Sequence, residues 1–186
     1  MEVLVFRTRI VIVLAVVSVA LLARVPAVAG ASGDGDLHCL VEVEGQESSG
    51  ELIVSEPVCF ASFEEAMTVA SNGLINIEQA PKGEELFSDP VAGSLLSSFT
   101  LGTHFDGLNG SGSSISVVGS SCTGGYWNTG ASWANRISSS WNGCYRLRHH
   151  DGPNKTGTYA DTVGSGTHNL PSYMNNKTES VSYWSS

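Results

Sequence analysis

Five side chains in the second half of the chain are of types that could hold a metal: His104 and Asp106, then His149, His150 and Asp151. Imidazole and carboxylate suit zinc. No His-Glu-x-x-His pattern or paired ligand spacing accompanies them, and the two groups occupy equivalent places in an internal repeat, which is expected to hold them apart. Serines are abundant, yet none lies in a nucleophile-elbow pattern. Residues 99–186 carry only Asp106, Asp151, Asp161 and Glu179 as acids, and no two of them stand out as an acid–base pair. These residues are expected to bind rather than to catalyse, and no cofactor is required.

Four cysteines, Cys39, Cys59, Cys122 and Cys144, make the even number of an exported disulfide framework. Three pairings are open. The local one, Cys39 with Cys59 and Cys122 with Cys144, is favoured because each pair falls within its own compositional segment. Each closed loop would contribute about 3 kcal/mol by restricting the unfolded chain.

The N-terminus agrees with export. Arg7 and Arg9 precede an apolar run from Ile10 to Ala23, and Ala27-Val28-Ala29 supplies the small residues of a cleavage site. The run falls short of the ~20 residues that span a bilayer, so residues 1–29 read as a signal peptide. The mature protein is expected outside the cell, with no membrane segment. The whole chain has a net charge of −9, unevenly placed. Residues 30–98 hold 13 acids against Lys82, whereas residues 99–186 hold four acids against Arg136, Arg146, Arg148, Lys155 and Lys177. An acidic chain of this kind does not suit nucleic acid or an anionic membrane.

Residues 30–77 read as a small acidic α+β module. A polar tail (30–36) leads into two short strands, 37–43 and 51–54, that form a hairpin. A helix follows, opened by the capping box Ser62-Phe63-Glu64-Glu65, striped by Phe63, Ala66, Met67 and Ala70, and stopped at Gly73. Residues 78–98, rich in Glu, Pro, Gly and Ser, read as a linker. Residues 99–186 read as short strands that repeat: the run from His104 to Ser113 aligns without gaps on His149 to Thr158, and Ala134–Ser139 aligns on Asn175–Ser180. Two such β units must pack their apolar faces on each other.

With these residues on the page, the second half resembles the βγ-crystallin fold, in particular its microbial secreted branch, which includes metalloproteinase inhibitors. The resemblance rests on Trp133-Ala134-Asn135-Arg136-Ile137-Ser138-Ser139 and on the Gly-rich hairpins at Phe105–Gly112 and His150–Gly157, in which several of the family's aromatic places are vacant. It implies a mainly β double Greek-key sandwich over residues 99–186, preceded by the hairpin and helix. It also implies calcium positions, which map onto Asn135 and Ser138 in one copy and Asn175 and Glu179 in the other. Ala134 lacks the first oxygen and the set is nearly neutral, so affinity is expected to be weak.

The function implied is a secreted, non-enzymatic protein-binding module whose partner is a proteinase, above all a metalloproteinase. A calcium-binding structural or stress protein is the alternative. Tyr126 and Trp127, in the Cys122–Cys144 segment, are the expected contact residues. The acidic N-terminal module is expected either to solubilise the chain or to dock on the face carrying Arg146, Arg148 and His150. Sequons at Asn109, Asn154 and Asn176 mark surface loops.

Overall fold

The computed structural model describes residues 35–74, Leu86 and residues 89–186. Residues 1–29, read above as a signal peptide, most of the polar tail and the first part of the 78–98 segment lie outside the described residues.

The chain enters as the hairpin that the sequence implies, with a longer first strand. Strand β1 (His38–Gln46) pairs antiparallel with β2 (Leu52–Val54), and β3 (Val58–Phe60) also pairs with β1, placing Cys39 opposite Cys59. Helix α1 (Phe63–Ala70) opens where Ser62 Oγ accepts the Glu65 amide, and it buries Phe63, Ala66, Met67 and Ala70. It ends with Gly73 at φ 79°, where the amide of Gly73 reaches the Thr68 carbonyl.

The linker reading needs correction over its second half. Helix α2 (Pro90–Phe99) forms there, capped by Asp89, whose Oδ1 accepts the amides of Val91 and Ala92. Composition suggested a loop, but Asp-Pro is a helix-start signal: the carboxylate satisfies open amides, and proline needs none in the first turn.

From Thr100 two four-strand units follow. The first comprises β4 (Thr100–Phe105), β5 (Ser114–Val118), β6 (Thr123–Asn128) and β7 (Ser139–Asn142), with the short helix α3 (Gly130–Trp133) before β7. The second comprises β8 (Arg146–His150), β9 (Tyr159–Val163), β10 (Gly166–Asn169) and β11 (Ser180–Trp184). Each unit lends its third strand to the other's sheet, giving the orders β10-β7-β4-β5 and β6-β11-β8-β9. Two interlocked Greek keys of this kind are the expected βγ-crystallin-type fold, and the repeat seen in the sequence is its pseudo-twofold. The equivalent hairpins turn through Gly112 and Gly157 at φ 79° and 78°, where a Cβ would also strike Asp106 Oδ1 and Asp151 Oδ1 respectively.

The first sheet does not end at β5. Strand β1 adds to it in parallel, in a register running from His38 opposite Ser114 to Glu42 opposite Val118. Residues 38–60 and the first Greek key therefore share one sheet, rather than forming two modules on a linker. The reason lies in the outer face of that sheet. Leu40, Phe105 and Trp141 project there, and α1 and α2 cover them through Phe63, Ala66, Met67, Ala70 and Leu96, with Leu86 in the same cluster. A second cluster, including Val41, Ile115, Val117, Trp127, Leu147, Val181 and Tyr183, fills the space between the sheets. The favoured disulfide pairing is the one formed, Cys39–Cys59 and Cys122–Cys144.

Candidate functional site

The two Asn/Ser runs meet across the pseudo-twofold. Asn135 and Asn176 take equivalent left-handed conformations, at φ 61° and 56°. The amide of Asn135 donates to the Thr178 carbonyl at 2.9 Å, and that of Asn176 to the Ile137 carbonyl at 3.0 Å. Side chains then cross in matching fashion: Asn135 Nδ2 donates to Glu179 Oε1 at 3.2 Å, and Ser138 Oγ donates to Asn176 Oδ1 at 3.0 Å. Next to them, Ser139 and Ser180 tie down the hairpins. Ser139 Oγ accepts the Gly110 amide and donates to the Gly107 carbonyl, and Ser180 Oγ does the same for Lys155 and Gly152.

Of the four calcium candidates, the structure brings Asn135 to Glu179. Ser138 is paired with Asn176 instead, and the buried Asn175 Oδ1 has no hydrogen-bond partner among the described residues. That orphaned oxygen and the Glu179 carboxylate are the donors that fit a calcium ion. The Ser138–Asn176 side offers only neutral oxygens already bonded to each other, so the fit is to one weak site at most.

The histidines overturn one sequence expectation. Equivalence under the pseudo-twofold brings His104 and His149 together, because both point inward from facing sheets, and their ring centroids lie 5.6 Å apart, edge to face. His104 is held by Ser140 Oγ at 2.8 Å and Tyr183 Oη at 3.0 Å, and it stacks on Trp127. Neither ring nitrogen of His149 has a hydrogen-bond partner among the described residues. Burial, and then His149, push His104 well below the usual imidazole range. Burial, and then His150, lower His149 to about 3. Both are neutral at pH 7. The other zinc candidates are engaged elsewhere: Asp106 pairs with Arg136 at 2.7 Å, Asp151 Oδ1 accepts the Thr158 amide, and His150 contacts Ser182 Oγ at 3.3 Å. Among the described residues no three His, Cys, Asp or Glu side chains gather as a metal site.

Tyr126 and Trp127 are not displayed for contact. Both lie in β6 rather than in a loop and are 4% exposed; Trp127 belongs to the inter-sheet core, and Tyr126 lies under Lys155. Alternation sends Trp127 between the sheets and Tyr126 to the opposite face, where Lys155 and the chain at Gly50–Glu51 cover it. Exposed instead, where the chain enters β6, are Ser120 and Ser121, in an irregular stretch that the half-buried Cys122 bridges to Cys144 in the 143–145 turn, and Tyr145, 54% exposed. Sequence reasoning also missed a symmetric pair of amide locks. Asn109 and Asn169 exchange two hydrogen bonds, and Asn154 and Asn128 do the same, clamping each hairpin to the strand lent by the other unit. The repeat marked Asn109 and Asn154, but not their partners.

The acidic segment does not sit on the face of Arg146, Arg148 and His150. It joins the opposite sheet, because the positions equivalent to Phe105 and Trp141 are His150 and Ser182, which offer no apolar area to a helix. Arg148 is instead bound by Asp161 through two bonds of 2.7 and 2.9 Å and lies over Tyr159, while Arg146 lies over Trp184. No helix among the described residues is long and apolar enough to cross a membrane.

No family model matches the sequence, and no curated protein does. Among solved structures, the chain is similar to a βγ-crystallin domain from Clostridium beijerinckii, at 17% identity and a TM-score of 0.38 over 46% of this chain and 99% of that one. A βγ-crystallin domain from Flavobacterium johnsoniae is similar at 20% identity and a TM-score of 0.34, over 44% and 91%. At such identities the likeness concerns the fold alone, and it is the exchange of third strands between the sheets that makes this chain a βγ-crystallin-type double Greek key.

Proposed function

We propose that the mature chain is a secreted, non-enzymatic protein-binding module whose partner is a proteinase, with metalloproteinases first among the candidates. The observation that carries this reading is the exposed Ser120–Ser121 segment, covalently tied through the adjacent Cys122–Cys144 bridge to the turn that carries the exposed Tyr145. A loop already held in one conformation binds with little ordering cost, and tyrosine supplies contact area with few rotamers to freeze. Of the candidate chemistry-bearing side chains, His104 and His149 sit in the core, and Asp106 and Asp161 are ion-paired. Export is part of the same proposal, since two disulfides belong to an oxidising compartment.

The test is titration of residues 30–186 against a panel of secreted proteinases, metalloproteinases included, with and without calcium. Stoichiometric loss of one enzyme's activity, weakened by Tyr145→Ala, is the expected result. If no enzyme is slowed, or if one simply cleaves within 119–122 at full rate, the proposal fails. A second reading, weak calcium binding by a structural protein, is favoured by Asn175 Oδ1, which has no hydrogen-bond partner among the described residues, in the loop that also holds Glu179.

A further inference from the structure

The pseudo-twofold makes β5 and β9 equivalent edge strands, and the two edges are treated differently. Strand β1 adds onto the free edge of β5. Among the described residues nothing pairs with the free edge of β9, whose partner on its other side is β8. The hydrogen bonds from Gly164 to Tyr145 and from Asp151 to Thr158 fix the phase of the β8–β9 ladder. Residues 158, 160, 162 and 164 bond inward, so Tyr159, Asp161 and Val163 direct their amides and carbonyls to the open edge. The same three alternate onto the outer face, where Tyr159 and Val163 are 49% and 47% exposed. An edge strand left open with large apolar side chains is a template for another strand.

We infer that β9 pairs antiparallel with β9 of a second copy of this chain, about a twofold axis at Asp161, joining two four-stranded sheets into one of eight. The sequence of the strand selects this occupant. Tyr159 and Val163 stand symmetrically about Asp161, so self-pairing sets each tyrosine opposite a valine, an aromatic–β-branched pair that favours sheets. Two aspartates facing each other would repel, but each carboxylate is already held by both nitrogens of its own Arg148, at 2.7 and 2.9 Å. The Tyr173 hydroxyl touches the Tyr159 carbonyl at 3.4 Å and leaves its second lone pair for the partner's amide. The contact is isologous and closes as a dimer.

Sedimentation equilibrium on residues 30–186 across a concentration series should show the mass doubling. Val163→Pro removes an amide that the native fold does not use, and the double variant Tyr159→Lys, Val163→Lys places like charges across the axis. Each should weaken the dimer at least about tenfold. Asp161→Cys places two thiols about 5.5 Å apart between Cα atoms, within disulfide reach, so it should cross-link to a covalent dimer under oxidised glutathione, whereas Thr167→Cys on the β10 edge should not. A chain that stays monomeric up to millimolar concentration, a dimer indifferent to both edge variants, or an edge that takes only a foreign extended peptide would each overturn the assignment.

Discussion

Replacing His149 should make the protein resist acid. His149 lies wholly inside, its ring nitrogens lack hydrogen-bond partners among the described residues, and burial holds its pKa at about 3. In the unfolded chain an imidazole titrates near 6.5. Because the folded value is the lower one, the unfolded state binds more protons between those two pH values, so stability must fall as pH drops through that window. From pH 7 to pH 4 the loss from His149 (pKa about 3) alone is about 3 kcal/mol. His104, lowered by the same burial, adds to it in the same direction. Against the ~5–15 kcal/mol that holds a typical domain, this is a large share. The assay is urea unfolding of the wild type and of His149→Leu at pH 7 and pH 4. At pH 7 the two should agree within about 1 kcal/mol, since leucine removes two orphaned polar atoms while nearly keeping the volume. At pH 4 the leucine variant should be the more stable by about 3 kcal/mol. Parallel losses in the two proteins, or an imidazole signal of His149 that titrates near 6.5 in the folded state, would refute the reasoning.

Three further outcomes are expected. Gly143→Ala should destabilise the fold by about 1–3 kcal/mol, measured by thermal melting, because a Cβ there collides with the Thr100 carbonyl oxygen and backbone cannot easily retreat. Residues 99–186 produced alone should bind a hydrophobic dye and aggregate, since they expose Phe105, Trp141 and the β5 edge that β1, α1 and α2 otherwise cover; a soluble, monomeric fragment with native melting would contradict the shared-sheet account. If the Asn135–Glu179 contact takes calcium, the ion at ten times its dissociation constant, worth about 1.4 kcal/mol, should raise the melting temperature by ~3–6 °C, and Glu179→Gln should abolish the rise.

How much of this was legible beforehand follows from the range over which each signal acts. Helix α1 was readable because its cap, stripe and stop all lie within twelve residues of sequence. The disulfide pairing and the duplication were readable because each is carried by local composition or by direct alignment. The same repeat located Asn135, Asn176 and the hairpin asparagines, whose left-handed conformations recur in both copies.

Partnership across the fold was not readable. Asn128 and Asn169 look like any polar strand residues until strand exchange sets them beside Asn154 and Asn109. Sequence alone determined that the second half consists of two like β units and that the acids cluster in the first half, and it favoured two local disulfides among three pairings. Tertiary structure decided where that acidic half goes. Charge pointed to the arginines of β8, but Phe105 and Trp141 form an apolar surface only once β4 and β7 lie side by side, and β1, with Leu40, extends it across β5. Covering such a surface outweighs attraction between solvated charges. The same assembly brought His104 against His149, because a pseudo-twofold that separates residues on the outer faces of two sheets brings together those that point between them.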